Sequence, residues 1–222
     1  MPELAAENLA CLRGERIVFA RLGFVAGPGD ALVLLGPNGS GKSSLLRLLA
    51  GFGRPFHGRL LWDGDEDAAR LRGAAAYVGH LDAVKPVLTA AEMLAFWAAL
   101  GGAPDPAAAA AAALDRMGIA HVARVPGRYL SAGQKRRVNL ARLVCTPRPL
   151  WLLDEPTVAL DRDSVGRVEE MVADHRRAGG IAVVSTHADI DLPGAGALHL
   201  DAFGVDGAAA PGTVDGADGE AA

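Results

Sequence analysis

The run Ala31-Leu32-Val33-Leu34-Leu35, then Gly36-Pro37-Asn38-Gly39-Ser40-Gly41-Lys42-Ser43, then Ser44 to Ala50, decides the fold. Five apolar residues bounded by turn residues read as a buried strand. Ser44 to Ala50 has helical character and stops at Gly51. The eight residues between fit G-x-x-x-x-G-K-[ST], a loop that cradles phosphate. Its glycines let the backbone curl until several N–H groups face one anion. The helix that follows adds the partial positive charge of its N-terminus. Lys42 is placed to reach the β- and γ-phosphates of a nucleotide, and the Ser43 hydroxyl to ligate Mg²⁺. Ser44 closes the nucleotide-binding set.

Working outward, strands alternate with helices. Strand-like runs cover Asn8 to Cys11, Ile17 to Phe24, Gly58 to Gly64, Ala75 to Val78, Leu150 to Leu153 and Ile181 to Ser185. Thr89-Ala90-Ala91-Glu92 is a capping-box pattern opening a helix that runs to about Leu100. Asp105-Pro106 opens another across the seven alanines Ala107 to Ala113. A further helix is expected from about Ser164 to Ala178. The alternation implies an α/β fold with a mainly parallel sheet.

Composition bounds the function. Half of the 222 residues are hydrophobic and 22% are charged, which excludes global disorder. The formal net charge is −4, and Asp206, Asp215, Asp218 and Glu220 account for all of it. The body is therefore neutral, which argues against a general nucleic-acid binder. The segment from Val205 to Ala222 reads as a disordered acidic tail. Cys11 and Cys145 make no disulfide framework, although they could pair with each other. The most apolar helical run, Val87 to Leu100, is interrupted by Glu92, so no membrane span is expected. Met1-Pro2-Glu3 does not open a secretory signal. There are 19 Arg and 3 Lys, so a single Arg carries little information and a single Lys more.

The second half of the site is Leu150-Trp151-Leu152-Leu153-Asp154-Glu155-Pro156. Two carboxylates at the end of a buried strand lie where open parallel sheets bind ligands. Asp154 can hold Mg²⁺ and Glu155 can polarise an attacking water. Leu130-Ser131-Ala132-Gly133-Gln134 is a capping box whose small residues let a phosphate approach a helix N-terminus. The latter run resembles the LSGGQ signature of ATP-binding-cassette (ABC) ATPases. The order of motifs matches as well: cradle, signature, carboxylate strand, then His187 after Ser185-Thr186.

The resemblance spans about residues 4 to 204. It implies a P-loop NTPase domain of ABC type over residues 1–204. That domain would carry an N-terminal antiparallel β subdomain and an inserted helical subdomain at about 81–137. It implies ATP and Mg²⁺ as ligands. It also implies a homodimer that sandwiches two ATP molecules, with Ser131, Ala132, Gly133 and Gln134 acting on the nucleotide of the other copy. Glu155, Lys42 and His187 take the catalytic positions, and His187 is the residue expected on the γ-phosphate. Asp161, in Val158-Ala159-Leu160-Asp161, matches a dimer-crossing loop in which Val158 replaces the usual Ser. His80 stands where the family usually has a Gln that contacts Mg²⁺ and couples to the membrane partner. The aromatic that usually stacks on adenine is missing, and Arg13 is the best-aligned position.

Local detail is similar to the haem-exporter ATPases of bacterial cytochrome c maturation. It lies in Tyr77 to Leu81, Lys85 to Thr89, the signature with Arg136-Arg137, and Pro149 to Pro156. That resemblance implies a peripheral subunit on the cytoplasmic face of the bacterial inner membrane, docked on separate permease subunits. It gives no direct haem site, since the six His residues form no ligand cluster. Met93, Leu94, Phe96 and Trp97 form a stripe that can serve as lobe core or as a permease seat. Other readings are the ATPase of a lipoprotein, amino-acid or drug transporter, or a soluble ABC ATPase.

Overall fold

Two sheets of different kind organise the computed structural model, which describes residues 2–186 and 190–204. The first is antiparallel, in the order β2-β1-β4: β1 (Leu4–Arg13), β2 (Arg16–Ala26) and β4 (His57–Trp62). The second has the order β5-β6-β7-β3-β8: β3 (Ala31–Leu35), β5 (Ala75–Val78), β6 (Leu150–Asp154), β7 (Ile181–Ser185) and β8 (Gly196–His199). Every neighbouring pair in it is parallel. All its strands therefore end at one edge, where the cradle and the carboxylates sit.

Both faces of the parallel sheet are covered, and side-chain alternation divides the core accordingly. Leu150, Leu152, Ile181 and Val183 face a core shared with Phe19, Leu22 and the helix α1 (Lys42–Leu49). Trp151, Leu153, Ala182 and Val184 face the other core. That core joins α5 (Ala132–Cys145) and α6 (Arg162–Arg177) to the lobe helices α3 (Ala90–Leu100) and α4 (Pro106–Arg116). Cys11 and Cys145 are buried free thiols in different cores.

The expected helix starts are present. Thr89 caps α3 as a full capping box with Glu92, and Asp105 caps α4 with Pro106 at its start. Ser131 and Gln134 form the box that opens α5. Three features differ from the sequence reading. β1 and β2 are longer than expected and form a hairpin. α6 begins at Arg162, because the Asp161 carboxylate accepts from Ser164 N and so caps it two residues earlier. A short helix α2 (Ala68–Ala74), capped by Asp67, and the edge strand β8 had no expected counterpart. The acidic tail and His187 lie outside the described residues. Among the described residues, no helix is long and apolar enough to cross a membrane.

Candidate nucleotide site

The cradle leaves β3 at Gly36 and enters α1 at Lys42, so the expected strand–loop–helix is present with the helix two residues earlier. Gly36 and Gly41 have φ of 136° and 102°, in the region that favours glycine. A Cβ on Gly41 would lie 2.7 Å from Val18 Cγ1, and one on Gly36 2.8 Å from Ser40 Oγ. The loop therefore wraps tightly against β2 and against itself.

Lys42 is 7% exposed, and its ammonium donates to the carbonyls of Gly36 (2.6 Å) and Pro37 (3.1 Å). Burial pushes its pKa below the ordinary lysine range, and Glu155 and Asp154 pull it part of the way back. Ser40 Oγ is buried without a hydrogen-bond partner. A buried hydroxyl left unpaired is costly.

Across the edge, β7 lies between β3 and β6. Asp154 is 2% exposed at the end of β6, paired in register with Ser185 of β7. Asp154 Oδ1 accepts from Ser43 Oγ at 3.1 Å and from Ser185 Oγ at 2.6 Å. One carboxylate oxygen on β6 thus ties the first turn of α1 to β7. Glu155 follows with φ of 51°, an uncommon conformation for a side-chain-bearing residue. Its N–H donates to Ser185 O at 3.0 Å.

These groups share a cavity of about 680 Å³. Asn38, Gly39, Gly41, Lys42, Ser43, Ser44, His80, Asp154, Glu155 and Val158 line it, and Arg13, Arg16 and Val18 form its outer wall. Arg13 Nε donates to Ser44 Oγ at 3.2 Å. His80 is exposed at the rim, just past β5. The cavity thus has a buried ammonium, the hydroxyl of Ser43 and two carboxylates at the sheet edge. That donor set fits a nucleotide triphosphate with a hard divalent cation.

The signature does not join this cavity. Ser131 and Ala132 are exposed, and Ser131 Oγ accepts from Gln134 N while Gln134 Oε1 accepts from Ser131 N. Gly133 packs on the loop after β6, where a Cβ would lie 2.8 Å from Ala159 O. Asp161 caps α6, and its hydrogen bonds from Ser164 hold its carboxyl below the usual range. The expected stripe splits: Met93 and Leu94 are buried in the lobe core, while Phe96 is 57% exposed. Ser185 and Arg136 bond to Asp154 and were given no role from the sequence, where Arg136 stood only beside the signature. The signal for Ser185 was one polar residue ending an otherwise apolar strand.

The sequence model of the ABC transporter family matches residues 19–158. The chain is 59% identical to the cytochrome c biogenesis ATP-binding export protein CcmA of Paramagnetospirillum magneticum, over 90% of this chain and 95% of that protein. It is 58% identical to the protein of that name from Rhodospirillum rubrum, over 94% and 90%. A solved Pyrococcus furiosus ABC transporter ATP-binding protein superposes with a TM-score of 0.81 at 22% identity, covering 91% of this chain and 100% of that one. That likeness speaks for the fold. Kinship over nine tenths of the chain and a family match over more than half of it lead to one conclusion: the chain belongs to the ABC transporter family, among the cytochrome c biogenesis ATP-binding export proteins.

Proposed function

We propose that this chain is the ATP-hydrolysing subunit of the haem exporter of bacterial cytochrome c maturation. It would act as a homodimer on the cytoplasmic face of the inner membrane, docked on separate permease subunits. The convergence of Lys42, Ser43, Asp154 and Glu155 on one cavity carries this reading, in a chain with close relatives named as cytochrome c biogenesis ATP-binding export proteins.

Residues 36–44 hold the triphosphate through backbone N–H groups and the Lys42 ammonium. Ser43 and Asp154 are the residues that would hold Mg²⁺, with His80, which lines the same cavity, as a further candidate. The cation supplies charge neutralisation at the phosphates when bound. Glu155 orients water for in-line attack, while Lys42 and His187 stabilise charge on the phosphoryl group. Ser131, Ala132, Gly133 and Gln134 serve the nucleotide held by the second copy, which is consistent with their lying outside this chain's own cavity. Asp161 would sit at the crossing of the two copies. Closure would carry the helical lobe, about 81–137, and with it the permease. Of the apolar stripe in that lobe, Phe96 is left exposed and would be available to the permease.

The test is Glu155→Gln in the full chain with and without its permease. ATP binding is expected to persist, with turnover falling by about 10²–10⁴-fold, the range for loss of a general base. Normal steady-state hydrolysis would remove Glu155 from the mechanism. Co-purification from solubilised membranes with permeases of another substrate class would overturn the haem assignment and leave the ATPase reading standing.

A further inference from the structure

Arg136 is a buried cation, 3% exposed, on the helix that the signature opens. Its guanidinium has five N–H donors, and five acceptors meet them. Nε donates to Pro156 O at 3.2 Å. Nη2 donates to Asp154 O at 2.7 Å and Glu155 O at 2.6 Å. Nη1 donates to Gly79 O at 2.8 Å and to Asp82 Oδ1 at 3.1 Å. Three successive carbonyls, from Asp154 to Pro156, therefore turn toward one guanidinium. An extended chain alternates its carbonyls, so the turn needs a break, and Glu155 supplies it at φ of 51°. Gly79 and Asp82 flank His80, so the same side chain also pins the segment at the cavity rim. Asp82 Oδ1 further accepts from Asn139 Nδ2 at 3.3 Å, which fixes the acceptor itself.

We infer that Arg136 is a positioning residue for hydrolysis. It holds the Glu155 peptide in its left-handed turn, and so sets where the Glu155 carboxylate points. It also ties that turn to residues 79–82, so that the two cavity walls shift together. A planar fork bonded to several carbonyls suits this role, and a point charge does not. The inference rests on the reading of Glu155 as the residue that orients water.

The experiment compares Arg136→Gln and Arg136→Lys with the parent full chain. It measures ATP affinity, single-turnover phosphate release, and the same release in a Glu155→Gln background. Both variants are expected to lower the hydrolytic rate at least tenfold while ATP affinity stays within about threefold. In the Glu155→Gln background, Arg136→Gln is expected to change the residual rate less than twofold, because the group it positions is already gone. Arg136→Lys keeps a charge for Asp82 and carries the comparison if the Gln variant does not fold. A parental rate in either folded variant would overturn the inference. So would ATP affinity falling in step with rate, or a full additional loss in the Glu155→Gln background. Retained hydrolysis in Glu155→Gln alone would instead remove the reading beneath it.

Discussion

Ser43 Oγ donates to Asp154 Oδ1 at 3.1 Å, bridging the first turn of α1 to the end of β6. The Ser185 hydroxyl takes the same oxygen from the other side. In the proposed function this hydroxyl and carboxylate hold Mg²⁺ together. Ser43→Ala should therefore raise the Mg²⁺ needed for half-maximal hydrolysis by at least about tenfold, the lower end of the range for loss of a site-orienting partner. An Mg²⁺ titration of phosphate release checks it, and an unchanged midpoint would remove Ser43 from the metal site.

Lys42 should report on binding. Its ammonium is nearly buried and already serves the carbonyls of Gly36 and Pro37. Lys42→Ala removes a charged donor to phosphate, a contact worth about 1.5–3 kcal/mol, or roughly 10- to 150-fold in Kd. Calorimetric titration with ATP reads this directly. Unchanged affinity would count against the cradle.

The two small residues of the signature should behave differently. Ala132 is exposed at the start of α5, whereas Gly133 would press a Cβ to 2.8 Å from Ala159 O. Ala132→Gly should cost less than about 1 kcal/mol, the full helix-propensity difference. Gly133→Ala must displace the signature turn or the loop carrying Ala159. Hydrolysis should fall at least about tenfold with ATP affinity of the single chain unchanged, since neither residue lines the nucleotide cavity. Equal rates in both variants would show that the close packing has no part in turnover.

What the sequence could show follows from range. The cradle and the three capping boxes or caps at Thr89, Asp105 and Ser131 are local patterns, and each lies at the start of its helix. The placement of Asp154 also followed, because an apolar run ending in an acid marks a strand edge. Ser185 and Arg136 act through partners far away in the chain, so a local pattern marks Ser185 only as a polar strand end and does not show what either residue bonds. Arg136 was hidden further by composition, since one arginine among 19 says little on its own. β8 has four residues in a stretch rich in Gly and Ala, and α2 has seven, too short for a periodic pattern to show. Asp161 matches a dimer-crossing loop in sequence, and by accepting from Ser164 N–H it also caps α6 within one chain.

His175 supplies a pH-dependent element of stability. Its ring stacks on Trp151 at 3.9 Å between centroids and 5° between planes. Its Nε2 lies 3.2 Å from Ile181 O, within hydrogen-bond distance. A Cβ on Gly180 would fall 2.1 Å from the ring, so the neutral imidazole is tightly enclosed. Burial lowers its pKa from the ordinary 6.5, against a smaller opposing effect of its backbone hydrogen bonds. The unfolded chain therefore binds a proton at a higher pH than the folded one. Stability from this group is present above about pH 6.5 and is lost as pH falls through the lowered folded value. The folded protein should unfold at lower urea at pH 5.5 than at pH 7.5, above the range where carboxylates titrate. His175→Phe keeps a flat ring against Trp151 and removes the proton site. It should shrink the difference between the two urea midpoints, even if the variant is less stable at both pH values. An equal difference in parent and variant would mean that other groups carry the acid sensitivity.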